Sequence, residues 1–240
     1  MNDILKRKYM HLIMFDIDGT LTGSFEYDRE CFVSAIRDLL GTEDIDSDWS
    51  NYRHVSSTGI TMEAIERQTG KAGSEEEMKR VESRLMFHLK QRYKECREDF
   101  IEVPGAKLML DKLQEMDHIA ISLATGCWAD EALFKLDHSG FNMSSVPMAS
   151  STDAVAREDI LKASLQKAKE SNGVKEFKSV TYIGDGIWDL NSALKLGYNF
   201  IGIGERLRPL KGNGLRHVYE NYTDIDAFMK SLEEIHQGIT

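Results

Sequence analysis

The chain has 240 residues and a formal net charge of −10, and 41% of its residues are hydrophobic. This length allows one large domain or two modest ones, with enough apolar residues for a packed core. The negative charge argues against a general binder of nucleic acid or of anionic membranes, because such proteins need a basic face.

The elements predicted outside one long helical stretch alternate between strands and helices. The predicted strands cover 12–15, 119–123, 145–148, 179–183 and 200–203. The predicted helices beside them cover 106–116, 129–138, 158–170, 190–196 and 224–235. Strands that alternate with helices predict a parallel sheet that is covered on both faces.

The segment after the first strand has a different pattern of apolar residues, which predicts helices at 27–40, 61–68 and from 74 to about 98. A helical segment of this length cannot lie within the sheet, so we predict a separate cap domain. The expected fold class is α/β, a Rossmann-like parallel sheet core with an inserted all-helical cap domain. The core would comprise residues 1–22 and 103–240, and the cap residues 23–102.

The cysteines and the N-terminal residues indicate a compartment. Cys31, Cys96 and Cys127 are widely spaced and form neither a zinc pattern nor a disulfide framework, which suits a reducing cytoplasm. The first nine residues are polar, and no apolar segment follows them, so no signal peptide is predicted. No apolar stretch approaches the roughly 18 residues that span a bilayer. We expect a cytoplasmic protein without a membrane or nucleic-acid partner.

Polar residues suited to chemistry follow three of the predicted strands. The motifs are Asp16-Ile17-Asp18-Gly19-Thr20, Thr125-Gly126, and Gly184-Asp185-Gly186-Ile187-Trp188-Asp189. Each is weak alone, because an aspartate at a strand end often only caps a helix. Ligands of parallel α/β sheets, however, bind just outside the carboxyl ends of the strands. The joint pattern therefore indicates one site that all three motifs build.

In this order the motifs resemble those of the haloacid dehalogenase-like phosphatases. The resemblance covers about 10–22 and 103–203, and the layout is most similar to the phosphoglycolate phosphatase and β-phosphoglucomutase-like group. The third motif of the family is usually a lysine, for which Arg157 is the best candidate here and Lys162 the fallback. Arginine also places a positive charge near a phosphate, although the two side chains are not equivalent there.

The carboxylates of Asp16, Asp185 and Asp189 call for a cation. With reference pKa values near 4, all three are expected to be ionised at pH 7. Charges of one sign within a few ångströms repel each other by some kcal/mol even at an effective dielectric constant of about 20. Oxygen ligands together with a phosphate substrate favour Mg²⁺. We expect Asp16, Asp185 and Asp189 to hold this ion, Asp189 directly or through water.

The other roles in the site follow from the chemistry and the resemblance together. Asp16 would be the nucleophile, forming an aspartyl-phosphate. Asp18 would act as general acid and then as general base, which needs a raised pKa. The resemblance also implies that the main-chain carbonyl of Asp18 ligates the metal. Thr125, Gly126 and Arg157 would bind the phosphate.

The predicted cap contributes a polar loop that includes Arg53, His54 and Thr58. The cap usually selects the substrate in the family that the chain resembles, so these residues are candidates for substrate contact. A solvated loop explains the same composition equally well.

The sequence thus predicts a Mg²⁺-dependent phosphatase that hydrolyses a small phosphorylated metabolite and is a monomer or homodimer. A sugar phosphomutase, in which the phosphoryl group passes to a sugar hydroxyl rather than to water, is the second interpretation. A non-catalytic phospho-accepting or ligand-binding module is the third. The length of the cap and the spacing of the first motif argue against that third interpretation.

Overall fold

A computed structural model describes residues 10–212 and 214–238 of the chain. Its sheet has six parallel strands in the order β3-β2-β1-β4-β5-β6. The strands are β1 (His11–Phe15), β2 (Ile119–Ala124), β3 (Met148–Ala149), β4 (Val180–Gly184), β5 (Asn199–Ile203) and β6 (Val218–Tyr219). Strand β1 lies between β2 and β4, and Phe15 is paired with Leu123 on one side and Ile183 on the other.

The helices of the sheet layer cover both of its faces. They are α4 (Ala106–Gln114), α5 (Ala129–His138), α6 (Arg157–Asn172), α7 (Ile187–Leu196) and α8 (Ile225–His236). Successive side chains of a strand point to opposite faces. In β1, Ile13 and Phe15 accordingly belong to one hydrophobic cluster and Leu12 and Met14 to another, and all four are fully buried. The predicted parallel α/β fold is confirmed.

Three helices lie between β1 and α4 and share one hydrophobic cluster, to which Trp128 of the sheet layer also belongs. They are α1 (Phe25–Leu40), α2 (Ser57–Thr69) and α3 (Glu75–Glu95). The two connections to the sheet layer run side by side: the Gly23 amide donates to the Ile101 carbonyl (2.9 Å), and the Val103 amide donates to the Leu21 carbonyl (2.8 Å). We call residues 23–102 the helical insertion. Their independence as a cap domain stays a prediction.

The observed helix and strand boundaries differ from the predicted ones in short polar segments, where the sequence has no hydrophobic periodicity. Helix α2 begins at Ser57 rather than near residue 61, because the Ser56 hydroxyl accepts a hydrogen bond from the Gly59 amide and caps the helix. The strand predicted at 145–148 is the two-residue β3, and the two-residue β6 was not predicted. Strands this short have no alternation to detect. In the described residues no helix is long and apolar enough to cross a membrane.

Two histidines pack against each other at the end of the sheet where the strands begin. The rings of His11 and His236 are stacked with their centroids 3.7 Å apart, and His118 lies 6.3 Å from His11. Burial is the main cause that lowers the pKa of both His11 and His236 to about 4, with Lys178 and His118 adding to it. Protonation of either ring therefore opposes folding.

We expect this pair to destabilise the fold as the pH falls from about 6.5 towards 4. The unfolded chain takes up protons on both rings near pH 6.5, whereas the folded chain does so only near pH 4. When the pH falls from 7 to 5, the free energy of unfolding of the double variant His11→Gln/His236→Gln should rise relative to that of the wild type. The expected rise is on the order of 1 kcal/mol per ring, after allowance for solvent screening. Urea unfolding at both pH values measures this difference.

The exposed His54→Gln variant is the control and should follow the wild type at both pH values. Other buried groups also titrate in this range, so the comparison between variants is the quantity of interest. A double variant whose unfolding midpoints shift in parallel with those of the wild type would contradict the prediction.

Candidate functional site

The three motifs meet at the carboxyl edge of the sheet, as predicted. Asp16, Thr125 and Asp185 directly follow the neighbouring strands β1, β2 and β4, and all three are buried. The Asp16 amide donates to the Ile183 carbonyl (2.9 Å), which continues the ladder between β1 and β4 by one residue. The parallel pairing therefore brings the side chains of separate motifs to one place.

Two glycines allow the backbone to approach this edge closely. Gly19 has φ +74°, and a Cβ atom there would lie 1.9 Å from a carboxylate oxygen of Asp185. A Cβ atom at Gly126 would lie 2.8 Å from the Arg157 guanidinium and 3.0 Å from the Val55 carbonyl oxygen. Any larger residue at either position would push the charged side chains apart.

The predicted metal ligands Asp16, Asp185 and Asp189 form one buried group whose carboxylate oxygens lie within 4.8 Å of one another. Burial, and next the Asp189 carboxylate, raise the pKa of Asp16 well above its usual range, although Arg157 opposes them. Burial also raises the pKa of Asp185 to about 7. The raised pKa values of Asp16 and Asp185 reflect the cost of burying these carboxylates together without a cation. An oxygen-only, like-charged donor set of this kind fits a hard divalent cation.

Asp189 is the most deeply buried of the three and is fixed from three sides. Its carboxylate accepts hydrogen bonds from the Tyr182 hydroxyl and from the Gly186 amide, both at 3.0 Å. It lies 3.6 Å from Arg157 Nε. The hydrogen bond from the Gly186 amide also caps the N-terminus of α7. Asp189 therefore caps a helix and lies in the candidate site at the same time. Tyr182 was not predicted, since it reads as one more apolar residue of β4.

Arg157, and not Lys162, faces the carboxylates. Arg157 is 7% exposed, and its Nη1 lies 3.3 Å from Asp16 Oδ1. Lys162 lies five residues further along α6, with a side chain that is 58% exposed and pairs with Asp159. Arg157 begins α6, and the start of this helix faces the strand ends. This position explains why Arg157, and not Lys162, lies beside the carboxylates.

Asp18 has a different environment from Asp16, although only Ile17 separates them. Its carboxylate lies 2.8 Å from Lys135 Nζ and accepts hydrogen bonds from the Ser24 hydroxyl and the Cys127 thiol. Burial alone would raise the pKa of Asp18, but Lys135 and these two donors lower it. The raised pKa expected of Asp18 is therefore not found. Its carboxylate also lies outside the group of Asp16, Asp185 and Asp189, and the prediction for its main-chain carbonyl stays a prediction.

Lys135 is a fully buried cation that the sequence analysis missed. Besides Asp18, it binds Asp28 of α1 and Glu131 of α5, each at 2.8 Å. A pair with i,i+4 spacing such as Glu131 and Lys135 is usually a surface pair. The signal that was available is the helical face, because Glu131 and Lys135 alternate on it with the apolar Ala132 and Leu136.

Arg206 also reaches the site without a sequence signal. It lies in a 3₁₀ turn after β5, Glu205–Leu210, where no period marks the direction of a side chain. Its guanidinium forms an ion pair with Asp185 and lies over the Phe25 ring, with Cζ 3.2 Å from the ring centroid. Even with this partner, the pKa of Asp185 remains raised by burial.

A cavity opens above these groups, between the strand ends and the helical insertion. Six predicted or neighbouring site residues form its floor: Asp16, Asp18, Thr125, Gly126, Arg157 and Asp185. The Thr125 hydroxyl oxygen accepts a hydrogen bond from the Cys127 amide (3.2 Å), which fixes it in the loop after β2. The volume of this cavity that the centre of a water molecule can reach is about 60 Å³.

Arg53, His54 and Thr58 do not line this cavity, to which their loop contributes Val55, Ser56 and Ser57. Arg53 and His54 line an adjacent pocket together with Arg157 and Trp188, and their contact with a substrate stays a prediction. Arg53 is drawn outward by ion pairs with Glu63 and Glu66, and His54 is exposed beside it. Thr58 instead joins the insertion to the sheet layer, because its hydroxyl oxygen accepts a bond from Trp128 Nε1 (2.9 Å).

Solved structures of similar fold include a hydrolase from Pseudomonas syringae, with a TM-score of 0.66 and 22% identity over 91% of this chain and 97% of that one. A β-phosphoglucomutase from Clostridium difficile has a TM-score of 0.65 and 17% identity over 96% and 98% of the two chains. A predicted phosphoglycolate phosphatase from Haemophilus somnus has a TM-score of 0.58 and 17% identity over 92% and 98%. At these identities the likeness concerns the fold.

The sequence also matches a known family over most of its length. No protein of curated function matches the chain. The profile of the family described as haloacid dehalogenase-like hydrolase matches residues 13–203, which include all three motifs and Arg157. The resemblance predicted from the motifs is thereby confirmed, and the chain belongs to the haloacid dehalogenase-like hydrolases.

Proposed function

We propose that the protein is a Mg²⁺-dependent phosphatase that hydrolyses a small phosphorylated metabolite through an aspartyl-phosphate on Asp16. The observation that carries this proposal is the position of Asp16 at the floor of the cavity, 3.3 Å from Arg157 and beside Asp185 and Asp189. A carboxylate attacks an anionic ester only where positive charge offsets both partners. Arg157 supplies one positive charge at the floor of the cavity, and the proposed divalent cation would supply the rest.

In the first step an Asp16 oxygen forms a bond to phosphorus, and the bond between phosphorus and the alcohol oxygen breaks. Asp18, which has to gain a proton once the substrate is bound, gives that proton to the departing alkoxide, so that a neutral alcohol leaves. In the second step Asp18 takes a proton from water, whose oxygen attacks phosphorus and releases inorganic phosphate and the free Asp16 carboxylate. Asp18 lines the same cavity as Asp16, as both transfers require.

Asp16, Asp185 and Asp189 would hold the divalent cation, with the main-chain carbonyl of Asp18 as a further proposed ligand. The bound cation would offset the charge of the phosphoryl oxygens. Arg157 would orient the phosphate from the side of α6. The buried Thr20 hydroxyl, which has no hydrogen-bond partner in the described part of the chain, belongs to the same loop as Asp18.

Lys135 would position Asp18 and connect it to the helical insertion. It holds Asp18 from the sheet layer and Asp28 from α1 at the same time. We propose that the insertion acts as the cap and that this shared lysine fixes the position of the cap over the cavity.

The same fold also hosts β-phosphoglucomutases, so transfer of the phosphoryl group to a sugar hydroxyl instead of water is the second candidate function. We also propose that the substrate is a small phosphorylated molecule and that the protein is a monomer or a homodimer.

The variant Asp16→Asn should lose phosphate release by at least about 10³-fold, because an amide cannot act as the nucleophile. Release by the wild type from a panel of phosphomonoesters should require Mg²⁺ and stop with a chelator. The exposed Asp159→Asn variant is the matched control and should retain full activity. An active Asp16→Asn variant would contradict the nucleophile assignment. A folded wild type that is phosphorylated once without turnover would favour the non-catalytic module.

Replacement of Arg157 should act mainly through substrate binding and affect kcat/KM. We expect Arg157→Met to lower kcat/KM by about 10- to 100-fold, the equivalent of roughly 1.4–2.8 kcal/mol, and Arg157→Lys to lower it less. Lys162→Met, on the same helix, should change it by less than about twofold, as expected of an exposed charge pair. Steady-state kinetics of the three variants measure this, and a larger effect at position 162 would reverse the assignment.

Removal of the buried lysine should destabilise the protein strongly. Lys135→Met leaves Asp18, Asp28 and Glu131 without their common cation, and we expect a loss of about 3–5 kcal/mol in the free energy of unfolding. The double variant Glu131→Gln/Lys135→Met should recover part of the loss, because it removes one of the unpaired charges. Thermal and urea unfolding measure both. The exposed pair variant Glu75→Gln/Lys79→Met serves as control, and equal stability of Lys135→Met and wild type would refute the role.

A further inference from the structure

The part of the cavity that faces the helical insertion is apolar and largely aromatic. Besides the polar Asp28, Ser56 and Ser57, its walls are formed by Phe25, Phe32, Trp49, Val55, Ile60 and Trp188. Five of these apolar residues belong to the insertion, and Trp188 lies in the first turn of α7. A phosphomonoester whose phosphate reaches Asp16 would therefore place its alcohol portion among these side chains.

The aromatic rings are arranged in two pairs. The rings of Phe25 and Trp188 are nearly parallel, with an interplanar angle of 13° and centroids 6.4 Å apart. Phe32 and Trp49 meet edge to face, with centroids 5.7 Å apart. Phe32 and Trp49 are both less than 10% exposed, so these walls are held by packing and need little rearrangement to receive a ligand.

This part of the cavity offers no free cation for a charged substrate group. Among the described residues that line the cavity, Arg157 is the single basic one, and it faces Asp16. Asp28 also lines the cavity, but its carboxylate is bound by Lys135. Arg206 lies over the Phe25 ring, but its guanidinium is paired with Asp185.

We infer that the preferred substrates are phosphomonoesters whose alcohol portion is uncharged and aromatic, an inference that rests on the proposed phosphatase activity. A second anionic group, such as a carboxylate, would be buried against aromatic rings and aliphatic side chains without a partner. An aromatic ring instead buries its apolar surface against Phe25, Trp49 and Trp188. Discrimination of this kind arises as much from the missing cation as from the rings themselves.

The same wall disfavours the phosphomutase reaction. A mutase that passes a phosphoryl group between two hydroxyls of one sugar has to accommodate a bisphosphate. One phosphate would bind at Arg157, and the second would face the apolar wall. Water is therefore the acceptor that this cavity suits.

The test compares four substrates that differ in the group carried by a primary alcohol: benzyl phosphate, ethyl phosphate, phosphoglycolate and phosphoethanolamine. We expect kcat/KM for benzyl phosphate to exceed that for ethyl phosphate by on the order of tenfold or more, and phosphoglycolate to rank below ethyl phosphate. A preference for phosphoglycolate would overturn the inference and leave the proposed phosphatase intact. A preference for phosphoethanolamine would also overturn it and indicate a cationic substrate recognised through Asp28 and the rings.

Variants locate the preference within the molecule. Phe25→Leu should lower the benzyl-to-ethyl ratio of kcat/KM several-fold, whereas Phe87→Leu, an exposed aromatic residue of α3, should leave it unchanged. Val55→Arg places a cation in the wall and should raise kcat/KM for phosphoglycolate relative to ethyl phosphate. Unfolding curves confirm that each variant is folded. Unchanged ratios in both Phe25→Leu and Val55→Arg would refute the placement of the alcohol portion.

Binding can be separated from turnover with the Asp16→Asn variant. Its intrinsic tryptophan fluorescence should change on titration with benzyl phosphate in the presence of Mg²⁺, because Trp49 and Trp188 line the cavity. Binding by this variant without turnover by the wild type would refute the proposed phosphatase and uphold the aromatic subsite. Turnover of other esters, with neither binding nor turnover of benzyl phosphate, would refute the aromatic subsite and support the proposed phosphatase.

Discussion

The structure depends on the compensation of carboxylates that are buried at one edge of the sheet. Ionised carboxylates are expensive to remove from water unless they are paired, and several of one charge together are more expensive still. The chain divides them into two groups, each with its own buried cation. Arg157 serves the group that contains Asp16, and Lys135 serves the group that contains Asp18. The first group keeps raised pKa values in spite of its arginine, which is the electrostatic setting that a divalent cation would relieve.

This division gives two neighbouring aspartates opposite properties. Asp16 and Asp18 are separated by Ile17, which is fully buried in the hydrophobic cluster of Ile13 and Phe15. The pKa of Asp16 is raised by burial and by Asp189, and the pKa of Asp18 is lowered by Lys135 against the effect of burial. Two carboxylates with different environments suit two roles in one reaction. The ionised Asp18 matches the base that hydrolysis of a phosphoenzyme requires, and its earlier step as an acid requires a proton gained once substrate is bound.

The sequence was most informative where the backbone itself determines direction. Parallel strands end at one edge, so Asp16, Thr125 and Asp185 could be placed together from strand order alone. Arg157 was identified from the resemblance, as the candidate for the third motif, and it faces the same edge because it begins α6. The sequence was least informative for contacts made through loops and long side chains. The loop that contains Arg53 could be either a substrate contact or a solvated segment from the sequence, and ion pairs with Glu63 and Glu66 hold Arg53 outside the cavity. Lys135 was missed because its burial follows from tertiary packing of α5 and not from its residue type.

The two ends of the cavity are built from different parts of the chain, and this separates chemistry from selectivity. The strand ends and α6 supply the charged floor, whereas the insertion supplies most of the apolar wall. The insertion is connected through two adjacent segments that are joined by hydrogen bonds at Gly23 and Val103. A change in the wall, such as a charge at Val55, therefore alters what the alcohol portion meets without moving the groups that act on phosphorus. In the proposed reaction, the phosphate is the anionic group that pairs with Arg157 at the floor, and the aromatic wall offers no such partner to a second one.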